Sequence, residues 1–113
     1  MVNNNHFCKM QFGLKQETIN QINSIFARYS KIDKVIVYGS RAKGNYKPYS
    51  DIDLTIVSND LNFTTMQKIE LEIDDLLLPY KFDISLFHQI ESSDLVEHIN
   101  RAGQLFYENN SPK

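Results

Sequence analysis

The sequence predicts an α/β (α+β) fold in which a small mixed β-sheet is flanked by helices. Segments with the apolar spacing of helices alternate with short β-forming segments, in the order helix, strand, strand, helix, strand, helix. A length of 113 residues suffices for one domain with one core. We therefore predict a single domain over residues 13–108, between a flexible N-terminus (1–12) and a frayed tail (109–113). We expect its helices on one side of the sheet.

The first half of the chain predicts one helix and two strands. Apolar residues at helical spacing place the helix at about residues 15–30; they are Ile19, Ile22, Ile25, Phe26 and Tyr29. The continuous apolar run 35–38 is typical of a central strand buried on both faces. After a loop at 44–50, residues 51–58 form the second strand. The connection between the strands is short, which leaves their relative direction open.

The second half predicts two helices and one or two strands. An apolar stripe places a helix at residues 64–78, ended by Pro79; it comprises Met66, Ile69, Ile73, Leu76 and Leu77. Residues 81–87 alternate between apolar and polar side chains, as a strand does. Ser92 or Ser93 caps the last helix, which Gly103 ends. Residues 105–107 form a short edge strand.

Composition excludes several classes of protein. A formal net charge of −2 argues against strong nucleic-acid binding, which needs a dense basic surface. Cys8 is the only cysteine, so no internal disulfide forms and a reducing cytoplasm is the expected location. No apolar run approaches the ~20 residues that span a bilayer, and the first ten residues lack the apolar core of a signal peptide.

Three aspartates and a glycine-serine pair are the candidate functional residues. Asp51 and Asp53 are two apart in a strand, so their side chains share one face. Neighbouring carboxylates repel each other, and a divalent metal relieves the repulsion. The alternation in the third strand can place Asp83 on the same face of the sheet as Asp51 and Asp53. The three carboxylates then converge if the third strand lies next to the second. The turn at Gly39-Ser40 is a candidate for holding the phosphates that such a metal binds.

The sequence does not match two other motifs that bind phosphate or metal ions. The spacing from Gly39 to Gly44 fits the start of a phosphate-binding loop, but Asn45 and Tyr46 stand where lysine and serine or threonine are required. The segment 51–55 lacks the glycine and the distal glutamate of a calcium loop.

The run GSRAKGNYKPYSDIDL resembles the active-site signature of the polymerase-β-like nucleotidyltransferases, in particular their minimal (MNT) single-domain bacterial members. The resemblance covers about residues 35–87. It implies that Asp51 and Asp53 coordinate two Mg²⁺ ions. It also implies that Asp83 is the third catalytic carboxylate, which binds the catalytic metal and helps to deprotonate the acceptor hydroxyl.

The resemblance also assigns the nucleotide-binding residues. Gly39 and Ser40 match the turn that binds the triphosphate, and Arg41 and Lys43 lie where the minimal members often have two arginines. Lys43 is a departure that keeps the charge but loses bidentate phosphate recognition.

The implied reaction transfers NMP, from ATP or another nucleoside triphosphate, to a hydroxyl. Minimal members resemble antitoxins encoded beside a helical HEPN-domain ribonuclease, so the expected acceptor is a tyrosine of such a partner. One alternative is a binding module, with weak or no catalysis, that neutralises the partner by complex formation. Another is transfer to a small molecule such as an aminoglycoside, although relatives of that kind generally carry a further helical domain. A homodimer or hetero-oligomer is also compatible with this size.

Overall fold

The computed structural model describes residues 10–109. In chain order these residues form β1 (Met10–Gln11), β2 (Leu14–Lys15), α1 (Gln16–Phe26), β3 (Ile32–Tyr38), α2 (Ser40–Lys43), β4 (Ile52–Ser58), α3 (Phe63–Asp74), β5 (Phe82–Leu86), a 3₁₀ turn (Phe87–Gln89), α4 (Ser93–Ala102) and β6 (Gln104–Glu108). The predicted order is confirmed for α1, β3, β4, α3, β5, α4 and β6, whereas β1, β2 and α2 were not predicted. None of the helices in this part of the chain is long and apolar enough to cross a membrane.

The central sheet is mixed, as predicted. Its strand order is β5-β4-β3-β6. Strand β3 runs antiparallel to both β4 and β6, whereas β4 and β5 are parallel. The parallel pair requires a crossover connection, which α3 supplies between β4 and β5. The first two strands of the sheet are thus antiparallel, and β6 is the edge strand that the sequence predicts.

The main core lies between one face of the sheet and the helices α1 and α3. Ile52, Leu54 and Ile56 of β4 point into it and are fully buried, as their alternation predicts. The helices contribute Ile19, Ile22, Ile25 and Phe26 from α1, and Met66, Ile69 and Ile73 from α3. Asp53, which alternates with these β4 residues, therefore points away from the main core.

Helix α4 packs on the other face of the sheet, so the expectation of helices on one side is wrong for this element. Val35 and Val37 of β3 belong to the main core, and Ile36 between them points to the opposite face. A Cβ built on Gly103, directly after α4, would lie 2.6 Å from Ile36 Cγ2. Strand β3 is consequently covered on both faces, although Ile36 is only half-buried.

Several boundaries differ from the sequence prediction. Helix α1 ends at Phe26, and α3 ends at Asp74, so Pro79 does not terminate it. Leu77, expected on the buried stripe, has a φ of 56° and is 87% exposed. The predicted stripe assumed that the helix continues to Leu77, but the helix ends before that residue, so helical spacing no longer determines where its side chain points. The predicted capping serine is Ser92, whose hydroxyl accepts from the Leu95 amide.

The described residues include parts of the predicted N-terminus and tail. Met10 and Gln11 pair with β2, and the ring centroids of Phe12 and Phe106 lie 5.8 Å apart. At the other end, the Asn109 amide donates to the Asp33 carbonyl. The remainder of the predicted N-terminus and tail, residues 1–9 and 110–113, lies outside the described residues.

Candidate functional site

Asp53 and Asp83 lie side by side on neighbouring strands. They are direct partners in the parallel register of β4 and β5. Partners in a parallel ladder share one face at the inter-strand spacing of about 4.8 Å. Asp53 is half-buried and Asp83 is exposed. The pairing of β4 with β5 therefore brings these two carboxylates together, as the sequence predicts if the two strands are adjacent.

The electrostatics of the pair favour a bound cation. Burial raises the pKa of Asp53 above its ordinary value, and the carboxylates of Asp83 and Asp51 raise it further. Asp83 also contributes to the raised pKa of Glu70 on α3, after burial and Asp74. Within residues 10–109, no lysine or arginine forms an ion pair with Asp51, Asp53 or Asp83.

Asp51 stands apart from this pair. It precedes β4 by one residue and is exposed, although it is near enough to influence Asp53. Among the described residues, no three histidine, cysteine, aspartate or glutamate side chains are already gathered as metal ligands. The donors are carboxylate oxygens, which suit Mg²⁺. The chemistry of Asp53 and Asp83 thus fits a hard divalent ion, and Asp51, directly before β4, stays a candidate third ligand.

The Gly39-Ser40 turn lies directly against Asp53. Gly39 has a φ of 76°, and a Cβ built on it would lie 2.5 Å from Asp53 Oδ2. Only glycine avoids both the left-handed strain and this collision. Helix α2 begins at Ser40, so the start of this helix directly follows the contact between Gly39 and Asp53. This proximity of turn and carboxylates is the one that the sequence predicts.

Arg41 lies inside the protein, unlike the exposed Lys43. Its side chain is buried, and the residue is 2% exposed. The guanidinium donates to the backbone carbonyls of Phe12, Pro48 and Ser50. These contacts engage its donors within the protein, and the nucleotide contact of Arg41 stays a prediction. Lys43, at the end of α2, is exposed and stays a candidate for phosphate binding.

The sequence analysis missed Tyr38 as a member of the site. Tyr38 is the direct partner of Asp53 in the antiparallel register of β3 and β4. Burial raises the pKa of Tyr38, a hydrogen bond with Ser85 lowers it, and Asp53 and Asp83 raise it. Alternation within β3 was the available signal, because it puts Tyr38 on the face opposite Val37. That signal becomes informative only once the pairing of β3 with β4 is known.

Comparison with known proteins identifies the family. The model of the family described as "Polymerase beta, Nucleotidyltransferase" matches residues 20–112. The probable protein adenylyltransferase MntA of Haemophilus influenzae is 31% identical over 75 residues, which are 66% of this chain and 66% of that relative.

Two solved structures share the fold. A toxin-antitoxin crystal structure with AMP-PNP superposes with a TM-score of 0.67 at 18% identity, covering 81% of this chain and 74% of that one. A tri-AMPylated HEPN toxin of Shewanella oneidensis in complex with an MNT antitoxin gives a TM-score of 0.62 at 17% identity, covering 83% and 72%. The matching family model, the mixed sheet and the paired aspartates together show that the chain belongs to the polymerase-β nucleotidyltransferase family.

Proposed function

We propose that this protein transfers AMP from ATP to a tyrosine hydroxyl of a HEPN-type toxin and thereby acts as its antitoxin. The observation that carries the proposal is the adjacency of the Asp53–Asp83 pair and the Gly39-Ser40 turn. The related Haemophilus protein is named as an adenylyltransferase, and a solved neighbour of the same fold is an antitoxin in complex with an AMPylated HEPN toxin.

In the transfer step, the phenolic oxygen of the acceptor forms a bond to the α-phosphorus of ATP. The bond between that phosphorus and the bridging oxygen to the β-phosphorus breaks, and pyrophosphate leaves. The phenolic proton must go to a base near the attacking oxygen. Asp83 is exposed beside Asp53, so its carboxylate is accessible to an acceptor from another chain.

Other residues of the site would bind the metal and the triphosphate. Asp53, Asp83 and Asp51 would hold Mg²⁺, which supplies charge neutralisation at the attacking and leaving oxygens. Gly39 permits close approach of the backbone to the phosphates, and the Ser40 hydroxyl can donate to a phosphate oxygen. Lys43 adds a positive charge at the end of α2. These groups orient the triphosphate for in-line displacement.

Mass spectrometry of the partner tests the proposal. The protein is incubated with ATP, Mg²⁺ and a HEPN protein encoded beside it, and each AMP should add about 329 Da to the partner. The Asp53→Asn variant should add none. Asp60→Asn is the matched control, because Asp60 is an exposed aspartate that follows the other end of β4 and pairs with Lys31. Absence of the mass increase with the wild-type protein would contradict the proposal.

A second candidate function is a binding module that neutralises the partner without catalysis. The observation in its favour is that no three potential metal ligands are already gathered within residues 10–109. Under this function, the double variant Asp51→Asn/Asp53→Asn still neutralises the HEPN ribonuclease in a growth assay. Under adenylyl transfer, the double variant leaves the ribonuclease active while still co-purifying with it.

A further inference from the structure

We infer that Arg41 is a positioning residue that holds Asp51 for metal binding, through the peptide that precedes it. This inference rests on the proposed function and deepens it, because it concerns the same metal site. It gives Arg41 a role through Asp51, which differs from the direct phosphate contact that the sequence predicts. The experiment below separates its failure from failure of the proposed function.

The guanidinium of Arg41 binds backbone carbonyls in two segments, one at Phe12 and one in the loop before Asp51. Nη1 donates to the Phe12 carbonyl at 3.0 Å. Nη2 donates to the carbonyls of Ser50 at 2.9 Å and Pro48 at 3.3 Å, and Nε donates to Ser50 at 3.3 Å. The forked geometry of a guanidinium can make these bonds together, whereas the single ammonium of lysine cannot.

Aromatic rings complete the enclosure of this cation. The guanidinium carbon lies 5.0 Å from the centre of the Tyr46 ring and 5.2 Å from that of Tyr80. A Cβ on Gly13 would lie 2.5 Å from Arg41 Nη1, so the hairpin of β1 and β2 also closes tightly over it. A buried charge is costly unless it is compensated. Among the described residues no carboxylate pairs with Arg41, so the carbonyls and rings provide the compensation.

The position of Asp51 depends on this arrangement. The Ser50 carbonyl that Arg41 binds belongs to the peptide joining Ser50 to Asp51, so the bonds orient the backbone immediately before Asp51. On the other side, the Ile52 amide donates to the Lys81 carbonyl at 2.9 Å and begins β4. Asp51 is therefore the single residue between a point held by the sheet and a point held by Arg41.

This dependence is specific to Asp51 among the three aspartates. Asp53 and Asp83 lie within strands and are held by the ladder of β4 and β5. Asp51 lies outside the strand, is exposed, and belongs to a loop that would otherwise be free to move. Groups that orient metal ligands typically affect metal affinity strongly although they do not touch the ion. Arg41 meets that description through the loop backbone.

Binding of Mn²⁺ alone, measured by electron paramagnetic resonance without nucleotide, tests the inference. We expect Arg41→Lys to weaken Mn²⁺ binding by roughly tenfold, the lower end of what loss of an orienting partner costs. Lys47→Met is the matched control: it removes an exposed cation from the same loop and should leave Mn²⁺ affinity unchanged. Nuclear magnetic resonance relaxation should show faster motion of the Ser50 and Asp51 amides in Arg41→Lys.

A double-mutant cycle decides whether Arg41 acts through Asp51. In the Asp51→Asn background, Arg41→Lys should weaken Mn²⁺ binding no further, because the ligand that it positions is already gone. Equal weakening in both backgrounds would overturn the inference, as would unchanged Mn²⁺ affinity of Arg41→Lys in the wild-type background. Failure of the wild-type protein to bind Mn²⁺ would instead contradict the metal site of the proposed function, and the inference with it.

Tyr80→Leu provides the same test if Arg41→Lys does not fold. Tyr80 is half-buried and covers one face of the guanidinium without bonding to the loop carbonyls. We expect this variant to fold and to weaken Mn²⁺ binding by about threefold, less than the loss of an orienting hydrogen bond. That weakening should also disappear in the Asp51→Asn background. Its persistence there would overturn the inference.

Discussion

Gly39 and Asp53 are in such close contact that no other residue type fits at position 39. The Cβ of any side chain there would lie 2.5 Å from Asp53 Oδ2, and the φ of 76° is itself unfavourable for any residue but glycine. The contact brings the turn before α2 against the carboxylate on β4. It is therefore the structural link between the candidate phosphate site and the candidate metal site.

Gly39→Ala is expected to impair transfer by displacing Asp53. A displacement of about 1 Å at a reacting centre can cost roughly a hundredfold in rate, so we expect a loss of that order in kcat/KM for adenylyl transfer. The measurement is the rate of AMP addition to the partner under saturating Mg²⁺.

Gly44→Ala is the control for backbone strain. Gly44 also has a positive φ, of 88°, but a Cβ there meets no atom within 4 Å. Gly44→Ala should lose about 1 kcal/mol of stability through its left-handed backbone, and Gly39→Ala should lose more because its Cβ also meets Asp53. Only Gly39→Ala should lose activity as well. Equal activity of the two variants would show that the Gly39–Asp53 contact has no role in transfer.

Asp53→Asn is expected to stabilise the metal-free protein while abolishing its response to metal. The substitution removes a half-buried charge that burial, Asp83 and Asp51 all disfavour. We expect the melting temperature without metal to rise by a few degrees, on the order of what small stability changes produce in a domain of this size. Thermal denaturation with and without Mg²⁺ measures both effects. A lower metal-free melting temperature than wild type would contradict the repulsion.

The raised pKa of Asp53 predicts that the effect of Asp53→Asn on the unfolding free energy depends on pH. The pKa of Asp53 in the folded state is above its ordinary value of 3.8, so the protonated carboxyl favours folding. That contribution is fully present below pH 3.8 and is lost as the pH rises through the raised pKa. The difference in unfolding free energy between Asp53→Asn and the wild type should therefore grow over this interval. Denaturant titrations at a series of pH values measure it.

Tyr38→Phe tests the residue that the sequence analysis missed. Loss of the hydroxyl removes a polar group whose pKa responds to burial, Ser85, Asp53 and Asp83. We expect roughly tenfold lower kcat, as for other partners that orient a metal site, with little change in stability. Tyr107→Phe is the control, because Tyr107 is a half-buried tyrosine on β6 that packs against Phe26. Identical kcat values for the two variants would exclude a role for the Tyr38 hydroxyl.

Gly103→Ala tests the packing of α4 against the sheet. A Cβ at Gly103 would lie 2.5 Å from the Ile99 carbonyl oxygen and 2.6 Å from Ile36 Cγ2. Overpacking of this kind typically costs about 1–3 kcal/mol. Urea denaturation should show a loss in that range with an unchanged slope. No loss would mean that α4 can shift away from β3 without cost.

Local sequence patterns predicted the elements well where periodicity and packing agree. The alternation around Ile52, Leu54 and Ile56 identified both the strand and its buried face, and the cap of the last helix is one of the two predicted serines, Ser92. The prediction for Leu77 is wrong because periodicity and packing disagree there. An apolar residue in helical phase says nothing about where the helix ends, and Leu77 lies beyond the end.

The sequence alone determined which residue types meet: a glycine-serine turn and three aspartates next to β-forming segments. Only the tertiary structure decided the partners, because strand order and register are set by packing across the whole sheet. It aligned Asp53 with Asp83 and with Tyr38, and it put α4 on the second face. It also buried Arg41, since three carbonyls brought together by folding bind the guanidinium inside the protein.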